Sequence, residues 1–550
     1  MNQKLIILYL LLFPTLGFSQ KFTEILGRPT NNSITINVLF DKQVDAYFEY
    51  GTIRGTYSKT TAIVTSTLEV PIEVKITGLE QGTRYFYRTR YKTTGTSTFL
   101  ASDEHTFITQ RPVGKTFRFT IEADCHPYDK KGSHGLWPIA LQNQLKDTAD
   151  FMLDLGDTFG DDHNPFTITS EEVKQLQLNS RAFFGGVCHS LPLFFCQGNH
   201  EGESGYYLLQ TPPNNLATYE TLWRKLYYPN PYPDSFYSGN NTDEGNGIGK
   251  PENYYSWQWG DALFIVLDAY RYYTASAKPR NWEWTIGKTQ YDWFKQTLSS
   301  STAKYKFVFI HHILGETRGG VNVASLNEWG DVANFETNRP GWGGVPIHQL
   351  MVNNKVTIFF QGHDHLFAKE MLDNIVYQTV PMPDDSTYTI GMTDNGDAFT
   401  GVKLAGSGHL RVTVAPNGVT VDYVSAILPA DETSTSHNGD IAYSYTIPAT
   451  STSIVANKIK KDSFTLYQNY PNPFAFETSV NYTIHRASFV TITIFDVLGR
   501  ELLTPVNQYQ FPGDYSIGIN VKELSSTNGI YFCRITVGNN VKTIRMICSK

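Results

Sequence analysis

Five short polar motifs, each placed directly after an apolar run, constrain the fold of this 550-residue chain more than any other feature. The apolar runs have the length and the aromatic or β-branched character of buried strands. Ligands of open α/β sheets bind at the carboxyl ends of the strands, so five such ends can meet in one crevice. The motifs are Asp124-Cys125-His126, Gly156-Asp157, Gly198-Asn199-His200-Glu201, His311 and Gly362-His363-Asp364-His365, after runs at 117–123, 151–155, 191–196, 307–310 and 356–360.

The side chains in these motifs suit divalent metal ions. Imidazole nitrogen and carboxylate oxygen are ligands for zinc, manganese or iron. The seven candidate ligands are Asp124, His126, Asp157, Asn199, His311, His363 and His365. Seven ligands are too many for one tetrahedral ion but enough for two if one carboxylate is shared, and Asp157 is the predicted bridge. Such a pair of ions can clamp a phosphoryl group and lower the pKa of a bridging water.

In this order, the motifs resemble those of the calcineurin-like metallophosphoesterases, over roughly residues 115–424. The resemblance implies that Asp124, His126, Asp157 and His365 surround one ion, and that Asp157, Asn199, His311 and His363 surround the other. It also implies that His200 protonates the leaving group while metal-bound hydroxide attacks phosphorus in line. Histidine suits that role because its pKa lies near neutrality. Asp157 and His200 are therefore the predicted catalytic residues.

Each motif alone has a structural interpretation. A histidine after a strand is commonly a core residue, and Gly-Asp or Asn-His pairs are commonly turns. His311 and His312 are adjacent, so alternation along a strand points only one of them toward the site, and the resemblance selects His311. Cys125 lies between two candidate ligands, and alternation favours a packed thiol over a thiolate ligand.

The motifs also separate branches of the family. Purple acid phosphatases resemble this chain in layout, but the tyrosine that binds their ferric iron corresponds here to Gly160. His126 is present where those enzymes usually lack a histidine, so the sequence predicts a general divalent site. Residues Gly160-Asp161-Asp162 do not match the Arg-Gly pattern of Ser/Thr protein phosphatases, which disfavours a phosphoprotein substrate.

The sequence says less about the substrate. An insertion at 202–253 is rich in Tyr, Pro, Asn and Gly, and it either forms a substrate wall or packs on itself. Aromatic rings there could stack on a nucleobase or an aryl leaving group. Four cations are candidates for a phosphate contact, with surface charge as the alternative. They are Arg181, Arg224, Lys225 and Arg271.

Both ends of the chain indicate export. Residues 1–20 have the basic start and apolar run of a signal peptide, and no other stretch of the mature chain is long and apolar enough to span a membrane. The segments LYQNYPNPF (466–474), IFDVLGR (494–500) and NGIYFCRI (528–535) resemble the C-terminal sorting domain of type IX secretion. The resemblance implies a small β-sandwich recognised by the secretion machinery, and a secreted or surface location. An appended binding module is the alternative.

The composition narrows the partners. The chain has a net charge of −7, whereas proteins that bind nucleic-acid polymers usually carry a positively charged surface. The expected substrate is therefore a small phosphoester. Five cysteines do not make a disulfide framework, although Cys188 could pair with Cys196 and Cys533 with Cys548.

The predicted architecture is multidomain. A fibronectin III-like β-sandwich of seven strands occupies 21–110, and a tyrosine corner is expected at Tyr85. A four-layer αββα catalytic domain follows at 111–448, with a linker at 449–461 and a C-terminal β-sandwich at 462–550. In the last domain, alternation predicts that Val490, Ile492, Ile494 and Val497 face inward.

The sequence therefore predicts a secreted binuclear phosphoesterase that most favours phosphomonoesters. One alternative is a phosphodiesterase acting on nucleotides or glycerophosphodiesters. The non-enzyme alternative is a surface adhesin on a degenerate scaffold, which the presence of all seven candidate ligands disfavours.

Overall fold

The computed structural model describes residues 22–127, 135–160, 162–273, 279–313, 315, 317–390, 396–449, 464–485, 488–524, 528–537 and 540–549. The chain divides into two compact units, 1–450 and 451–550. The predicted signal peptide and nearly all of the predicted linker lie outside the described residues. Within the described residues, no helix combines the length and apolar character needed to cross a membrane.

The N-terminal region folds as two antiparallel sheets packed face to face. One has the order β1-β2-β6, and the other has the order β4-β3-β7-β8, with β5 on β3 and β9 on β7. Nine strands lie between residues 22 and 110, two more than predicted, because short edge pairings also form. The strands are β1 (Phe22–Gly27), β2 (Ser33–Phe40), β3 (Val44–Gly51), β4 (Lys59–Thr60), β5 (Val64–Thr65), β6 (Ile72–Thr77), β7 (Arg84–Thr93), β8 (Leu100–Ala101) and β9 (His105–Ile108).

The predicted tyrosine corner is confirmed. The Tyr85 hydroxyl accepts a hydrogen bond of 2.9 Å from the backbone N–H of Glu80, and the Tyr85 ring stacks on Phe107. This bond ties the entry of β7 to the preceding turn, as in other sandwiches of this kind.

Two further sheets form the central region. The first has the order β12-β11-β10-β21-β22-β23, with parallel pairing from β10 to β12 and antiparallel pairing beyond. Its strands are β10 (Phe117–Glu122), β11 (Phe151–Asp154), β12 (Leu193–Phe195), β21 (Gly408–Ala415), β22 (Gly418–Ser425) and β23 (Ile441–Pro448).

The second sheet has the order β13-β14-β15-β16-β17-β19-β18-β20, and β15, β16, β17 and β19 are parallel neighbours. The predicted hairpin across Gly260-Asp261 is β14 with β15. The strands are β13 (Ser238–Gly239), β14 (Tyr255–Trp259), β15 (Ala262–Val266), β16 (Tyr305–Phe309), β17 (Ile358–Gln361), β18 (Phe367–Leu372), β19 (Ile375–Thr379) and β20 (Val402–Leu404).

Helices connect and flank these strands. The second begins with a capping box in which Thr169 and Glu172 exchange hydrogen bonds. The α-helices are α1 (Leu136–Lys146), α2 (Ser170–Phe184), α3 (Gly205–Leu208), α4 (Leu216–Tyr227), α5 (Lys288–Ser300), α6 (Asn327–Gly330), α7 (Phe335–Asn338) and α8 (Ile347–Asn353). Short 3-10 helices lie at Asn281–Glu283 and Gly396–Ala398.

The two central sheets pack face to face, and helices cover their outer faces. Phe119, Phe151, Phe264 and Phe360 belong to the fully buried aromatic core between the sheets. Helices α1 and α2 bury Trp137 and Phe184 against the first sheet, while α5 and α8 cover the second. The predicted αββα sandwich is thereby confirmed, and it brings the carboxyl ends of the parallel strands of both sheets to one edge.

The C-terminal unit is a separate β-sandwich, as predicted. Its sheets have the orders β24-β25-β28 and β27-β26-β29-β30. The strands are β24 (Phe464–Leu466), β25 (Glu477–Ile484), β26 (Ser488–Phe495), β27 (Glu501–Gln510), β28 (Gly513–Asn520), β29 (Gly529–Val537) and β30 (Asn540–Cys548), with a 3-10 helix at Val521–Glu523.

The predicted inward orientation is confirmed for Val490, Ile492 and Ile494 of β26, which are all fully buried. The prediction is wrong for Val497, which is 64% exposed. The strand ends at Phe495, and Asp496 then accepts hydrogen bonds from two backbone N–H groups of the following turn. Alternation therefore stops before Val497. All five cysteines are buried thiols, so neither disulfide left open by the sequence is formed.

Candidate metal centre

The candidate ligands lie at adjacent strand ends of the two central sheets. Asp124 and His126 follow β10, Asp157 follows β11 and Asn199 follows β12 in the first sheet. From the second sheet, His311 follows β16, and His363 with His365 follows β17. The packing of the two sheets therefore brings together side chains that are far apart in the chain.

Backbone strain concentrates at this edge. Five of the seven candidate ligands have a positive φ, in the left-handed region that non-glycine residues seldom adopt. The angles are 61° at Asp124, 36° at His126, 60° at Asp157, 69° at His363 and 58° at His365. Such conformations collect at functional sites, where the surrounding structure enforces them.

Two glycines allow the loops to approach each other. A Cβ at Gly198 would lie 2.3 Å from Asp157 Oδ1, and a Cβ at Gly362 would lie 2.8 Å from both Ala123 Cβ and Asp124 Oδ2. Any side chain at either position would push a candidate ligand out of place. The glycines in these motifs therefore serve close packing around the carboxylates.

One group of ligand atoms comprises Asp124, His126 and His365. The Nε2 atoms of His126 and His365 lie 3.2 Å apart, and His365 Nε2 lies 3.5 Å from Asp124 Oδ1. Two backbone-to-carboxylate contacts hold Asp124 in place, because the N–H of His363 lies 2.9 Å and 2.7 Å from its two oxygens.

A second group comprises Asp157, His311 and His363. His311 Nε2 lies 3.2 Å from Asp157 Oδ2, and its Nδ1 lies 2.8 Å from the Leu155 carbonyl oxygen. The same Asp157 Oδ2 lies 3.5 Å from His126 Nε2, which belongs to the first group. Asp157 thus stands between the two groups, while its Oδ1 accepts the His200 N–H at 2.8 Å.

Several buried polar atoms of this centre have no hydrogen-bond partner among the described residues. They include Asn199 Oδ1, His365 Nδ1 and both ring nitrogens of His363. Leaving such atoms unpaired costs on the order of 1–3 kcal/mol each. Coordination of a cation would satisfy them, so the donor set fits divalent ions.

The two central carboxylates differ in acidity. Burial raises the pKa of Asp124 to about 7. Burial acts in the same direction on Asp157, but the positive charges of His311 and His200 outweigh it and hold the pKa of Asp157 well below its usual range. The neighbouring imidazoles of His311 and His200 therefore favour the ionised form of Asp157.

His200 is held by residues that the sequence analysis did not select. Its Nδ1 lies 2.8 Å from Asp162 Oδ1, and the Tyr207 hydroxyl donates to the other Asp162 oxygen at 3.2 Å. Burial lowers the pKa of His200, but Asp157 and Asp162 outweigh it and raise that pKa to about 10. Its side chain is 32% exposed. A partly open imidazole held by a carboxylate at this edge is placed to donate a proton.

Glu201 has a structural role that the sequence analysis also missed. One of its carboxylate oxygens accepts the N–H groups of Asp157 at 2.8 Å and Gly198 at 2.6 Å. The other accepts those of Thr158 at 2.7 Å and Phe159 at 3.1 Å. Glu201 therefore joins the loops after β11 and β12. In the sequence, the position of Glu201 directly after His200 was the only indication of this role.

Two neighbours of the candidate ligands are structural. His312 is fully buried, its Nε2 lies 3.0 Å from the Gly319 carbonyl oxygen, and burial lowers its pKa to about 3. Cys125 is buried beside Thr158, and burial raises the pKa of its thiol well above the usual range. A neutral thiol agrees with the packed role expected for Cys125.

The four cations considered for phosphate binding have other contacts. Arg224 and Arg271 are buried and both pair with Glu203, and Arg271 also pairs with Glu244. Arg181 is buried against the N-terminal sandwich and donates to the carbonyl oxygens of Thr23 and Asn37. Lys225 donates to the carbonyl oxygens of Ile248 and Lys250. Arg181, Arg224 and Arg271 are therefore not surface charges, and the contacts of all four cations disagree with a role as phosphate ligands.

Arg318 is a cation near the centre, and the sequence analysis did not select it. Its Nη1 lies 4.0 Å from Asp364 Oδ1, and its side chain is 37% exposed. Its charge also lowers the pKa of Asp124 and of His365. It reaches the centre from the loop after β16, beyond the His311 motif and outside any motif of its own.

The backbone around Gly160 leaves no room for the iron-binding tyrosine of purple acid phosphatases. A Cβ there would lie 2.3 Å from the His200 carbonyl oxygen. A side chain at this position would displace the loop that carries His200, so the geometry agrees with the absence of a phenolate ligand.

Comparison with known proteins agrees with this geometry. The calcineurin-like phosphoesterase family model matches residues 117–367, and the secretion system C-terminal sorting domain matches residues 468–549. No curated protein resembles the chain closely enough to count as a match.

Two solved structures share the fold of the larger unit. "Structure of PhoD" aligns with a TM-score of 0.57 and 16% identity, over 78% of this chain and 91% of that one. A purple acid phosphatase, PPD1 from seeds of yellow lupin (Lupinus luteus), aligns with a TM-score of 0.52 and 14% identity, over 77% of this chain and 74% of that one.

The sorting domain directs export by type IX secretion to the cell surface or the extracellular space. The chain thus carries a calcineurin-like phosphoesterase domain and a C-terminal sorting domain, and the first of these supports a phosphoesterase enzyme.

Proposed function

We propose that this protein is an exported phosphomonoesterase whose active site is the centre formed by the seven candidate ligands. The observation that carries the proposal is the position of Asp157 Oδ2, 3.2 Å from His311 Nε2 and 3.5 Å from His126 Nε2. One carboxylate oxygen therefore faces both groups of ligands, as a bridge between two ions requires.

The residues divide into two sets that share Asp157. Asp124, His126, Asp157 and His365 would hold one divalent ion, and Asp157, Asn199, His311 and His363 the other. Zinc, manganese and iron suit these ligands. When bound, two such ions would supply positive charge for the phosphoryl oxygens. They would also lower the pKa of a bound water to near neutrality.

The other residues orient and protonate. His200 donates the proton to the departing oxygen from Nε2, because Nδ1 is engaged by Asp162. Tyr207 restrains Asp162, and Glu201 keeps the loops that carry Asp157 and His200 in register. The Arg318 guanidinium is placed to attract an anionic substrate to the rim.

Removal of metal tests this proposal. After treatment with a chelator and dialysis, hydrolysis of 4-nitrophenyl phosphate should vanish and return when Mn²⁺ or Zn²⁺ is added. Each ion that binds only the folded chain adds about 2.7 kcal/mol of stability at a hundredfold excess over its Kd, so the apo protein should also unfold at a lower temperature. Unchanged activity and Tm after verified loss of metal would contradict the proposal.

A substrate panel on the same preparation separates the two ester classes. The proposal predicts a higher kcat/KM for 4-nitrophenyl phosphate than for bis(4-nitrophenyl) phosphate. The reverse order would indicate a phosphodiesterase. No hydrolysis of any phosphoester by the metal-loaded protein would leave the adhesin alternative.

The acid role of His200 predicts a dependence on the leaving group. His200→Ala should lower kcat about a hundredfold to ten-thousandfold for an alkyl phosphate, the usual contribution of a positioned general acid. It should lower kcat far less for 4-nitrophenyl phosphate, whose leaving group needs little protonation. Metal content, measured by mass spectrometry, should stay at the wild-type value. Equal losses on both substrates would argue against proton donation.

A further inference from the structure

We infer that an aromatic shelf on the His200 side of the centre is a subsite for a planar group, and that the preferred substrates are phosphomonoesters of nucleoside type. This inference rests on the proposed function, since it concerns the group attached to the departing oxygen. The shelf comprises His163, Phe166, Tyr206 and Tyr207.

The loop after β11 carries one half of the shelf and α3 the other. The Phe166 ring lies 6.2 Å from Tyr206 at 89° and 6.3 Å from Tyr207 at 72°, and the two tyrosines lie 4.8 Å apart. These edge-to-face arrangements hold aromatic rings in fixed relative orientations. The shelf is thus assembled from two segments about 40 residues apart in the chain.

The shelf is joined directly to the proposed acid. Tyr207 donates to Asp162, and Asp162 holds His200. The His163 ring lies 5.9 Å from the His200 ring and nearly parallel to it, at 23°. A proton from His200 goes to the departing oxygen, so the group attached to that oxygen lies on the side of the site that these rings border.

Only part of this shelf is exposed, because Tyr207 packs in a buried cluster with Val173, Leu216 and Ala217, and Tyr206 packs against that cluster. Tyr207 is 9% exposed and serves as the base of the shelf, whereas Phe166 is 64% exposed. Covering an exposed apolar ring removes its surface from water, so a ligand that packs on Phe166 would bind more tightly. Aromatic rings accept any nucleobase, because every base presents a π face.

The chemistry of the rim favours a nucleoside over a larger partner. The chain has a net charge of −7 and no basic footprint for a polymer. A nucleoside monophosphate has one phosphoryl group for the centre and one planar base a single sugar away. The shelf offers that base a stacking surface next to the acid that releases the sugar hydroxyl.

Adenosine 5′-monophosphate and ribose 5-phosphate form a matched pair, since both release a primary alkoxide and only one carries a base. We expect a kcat/KM about tenfold higher for the nucleotide, within the roughly 5- to 150-fold that one base–aromatic contact contributes. Phe166→Ala should lower kcat/KM for the nucleotide about tenfold. The kcat/KM for ribose 5-phosphate should stay within about twofold of the wild-type value. Phe166→Trp should preserve the ratio.

Leu209→Ala is the control, because Leu209 is an exposed apolar residue directly after α3, the helix of the two shelf tyrosines, and has no aromatic face. This variant should leave kcat/KM for both substrates at the wild-type value. Equal kcat/KM values for the two substrates in the wild type, or equal losses in Phe166→Ala, would overturn the inference.

A binding measurement separates this inference from the proposed function. Calorimetric titration with adenosine needs no turnover, and the wild type should bind it with a Kd at least about tenfold lower than Phe166→Ala does. No binding of adenosine to the wild type would overturn the subsite, whatever the hydrolysis shows. Binding of adenosine without hydrolysis of any phosphoester would preserve the subsite and overturn the proposed function.

Discussion

Asp157→Asn should abolish turnover and lower the metal content of the purified protein while the fold survives. The Asp157 oxygen between His126 and His311 would become an amide nitrogen without a lone pair, or the amide would flip and lose its bond from the His200 N–H. The loss of activity should exceed the roughly 10–100-fold typical for a partner outside the ligand shell. Metal analysis and steady-state kinetics on one preparation measure both effects.

Asp154→Asn provides the control for this experiment. Asp154 lies three residues earlier, is fully buried, and bonds Gly156, Thr158 and the neighbouring carboxyl group of Glu122. Burial raises the pKa of Asp154 well above its usual range, so a neutral amide closely replaces it. This variant should keep both metals and most of its activity. If Asp157→Asn behaved like Asp154→Asn, Asp157 would not be the bridge.

Glu201→Gln should have the second-largest effect, on stability as well as on activity. Each Glu201 oxygen accepts two backbone N–H groups, so an amide NH₂ in either orientation would face two donors. Two buried donors left unpaired cost on the order of 3 kcal/mol together. Chemical denaturation of the metal-free protein measures this loss without any contribution from bound ions.

Release of these N–H groups should also displace the loops that carry Asp157 and His200, so metal affinity and kcat should fall together. The control is Glu220→Gln, since Glu220 is equally buried but is bonded by a single side chain, that of Gln177. Burial raises the pKa of Glu220 well above its usual range, so the amide should be nearly neutral in effect. Equal losses of stability in the two variants would show that Glu201 is an ordinary buried acid.

The layered fold was predictable because its determinants are local. Apolar runs before the five motifs identify the strands, and their alternation with helical segments predicts a layered α/β domain, for which the family resemblance implies an αββα sandwich. The order of the motifs indicated seven side chains, and the structure places six of them in two adjacent groups, with Asn199 on the neighbouring loop. Their roles as metal ligands await the experiments above.

The contacts around these side chains were not predictable, because they join segments that no local pattern relates. Tyr207 reaches Asp162 across 45 residues, and Glu201 reaches Thr158 across 43. Arg224 and Arg271 look like free charges in the sequence, yet folding buries both against Glu203.

The sequence by itself determined the strands, their polar ends and the export signal, since hydrophobic periodicity and contiguous motifs are encoded over a few residues. Only the tertiary structure decided which residues hold His200 and Glu201, which cations lie near the centre, and which aromatic rings border His200. Those outcomes depend on the stacking of two sheets, which fixes distances between residues whose separation along the chain carries no spatial information.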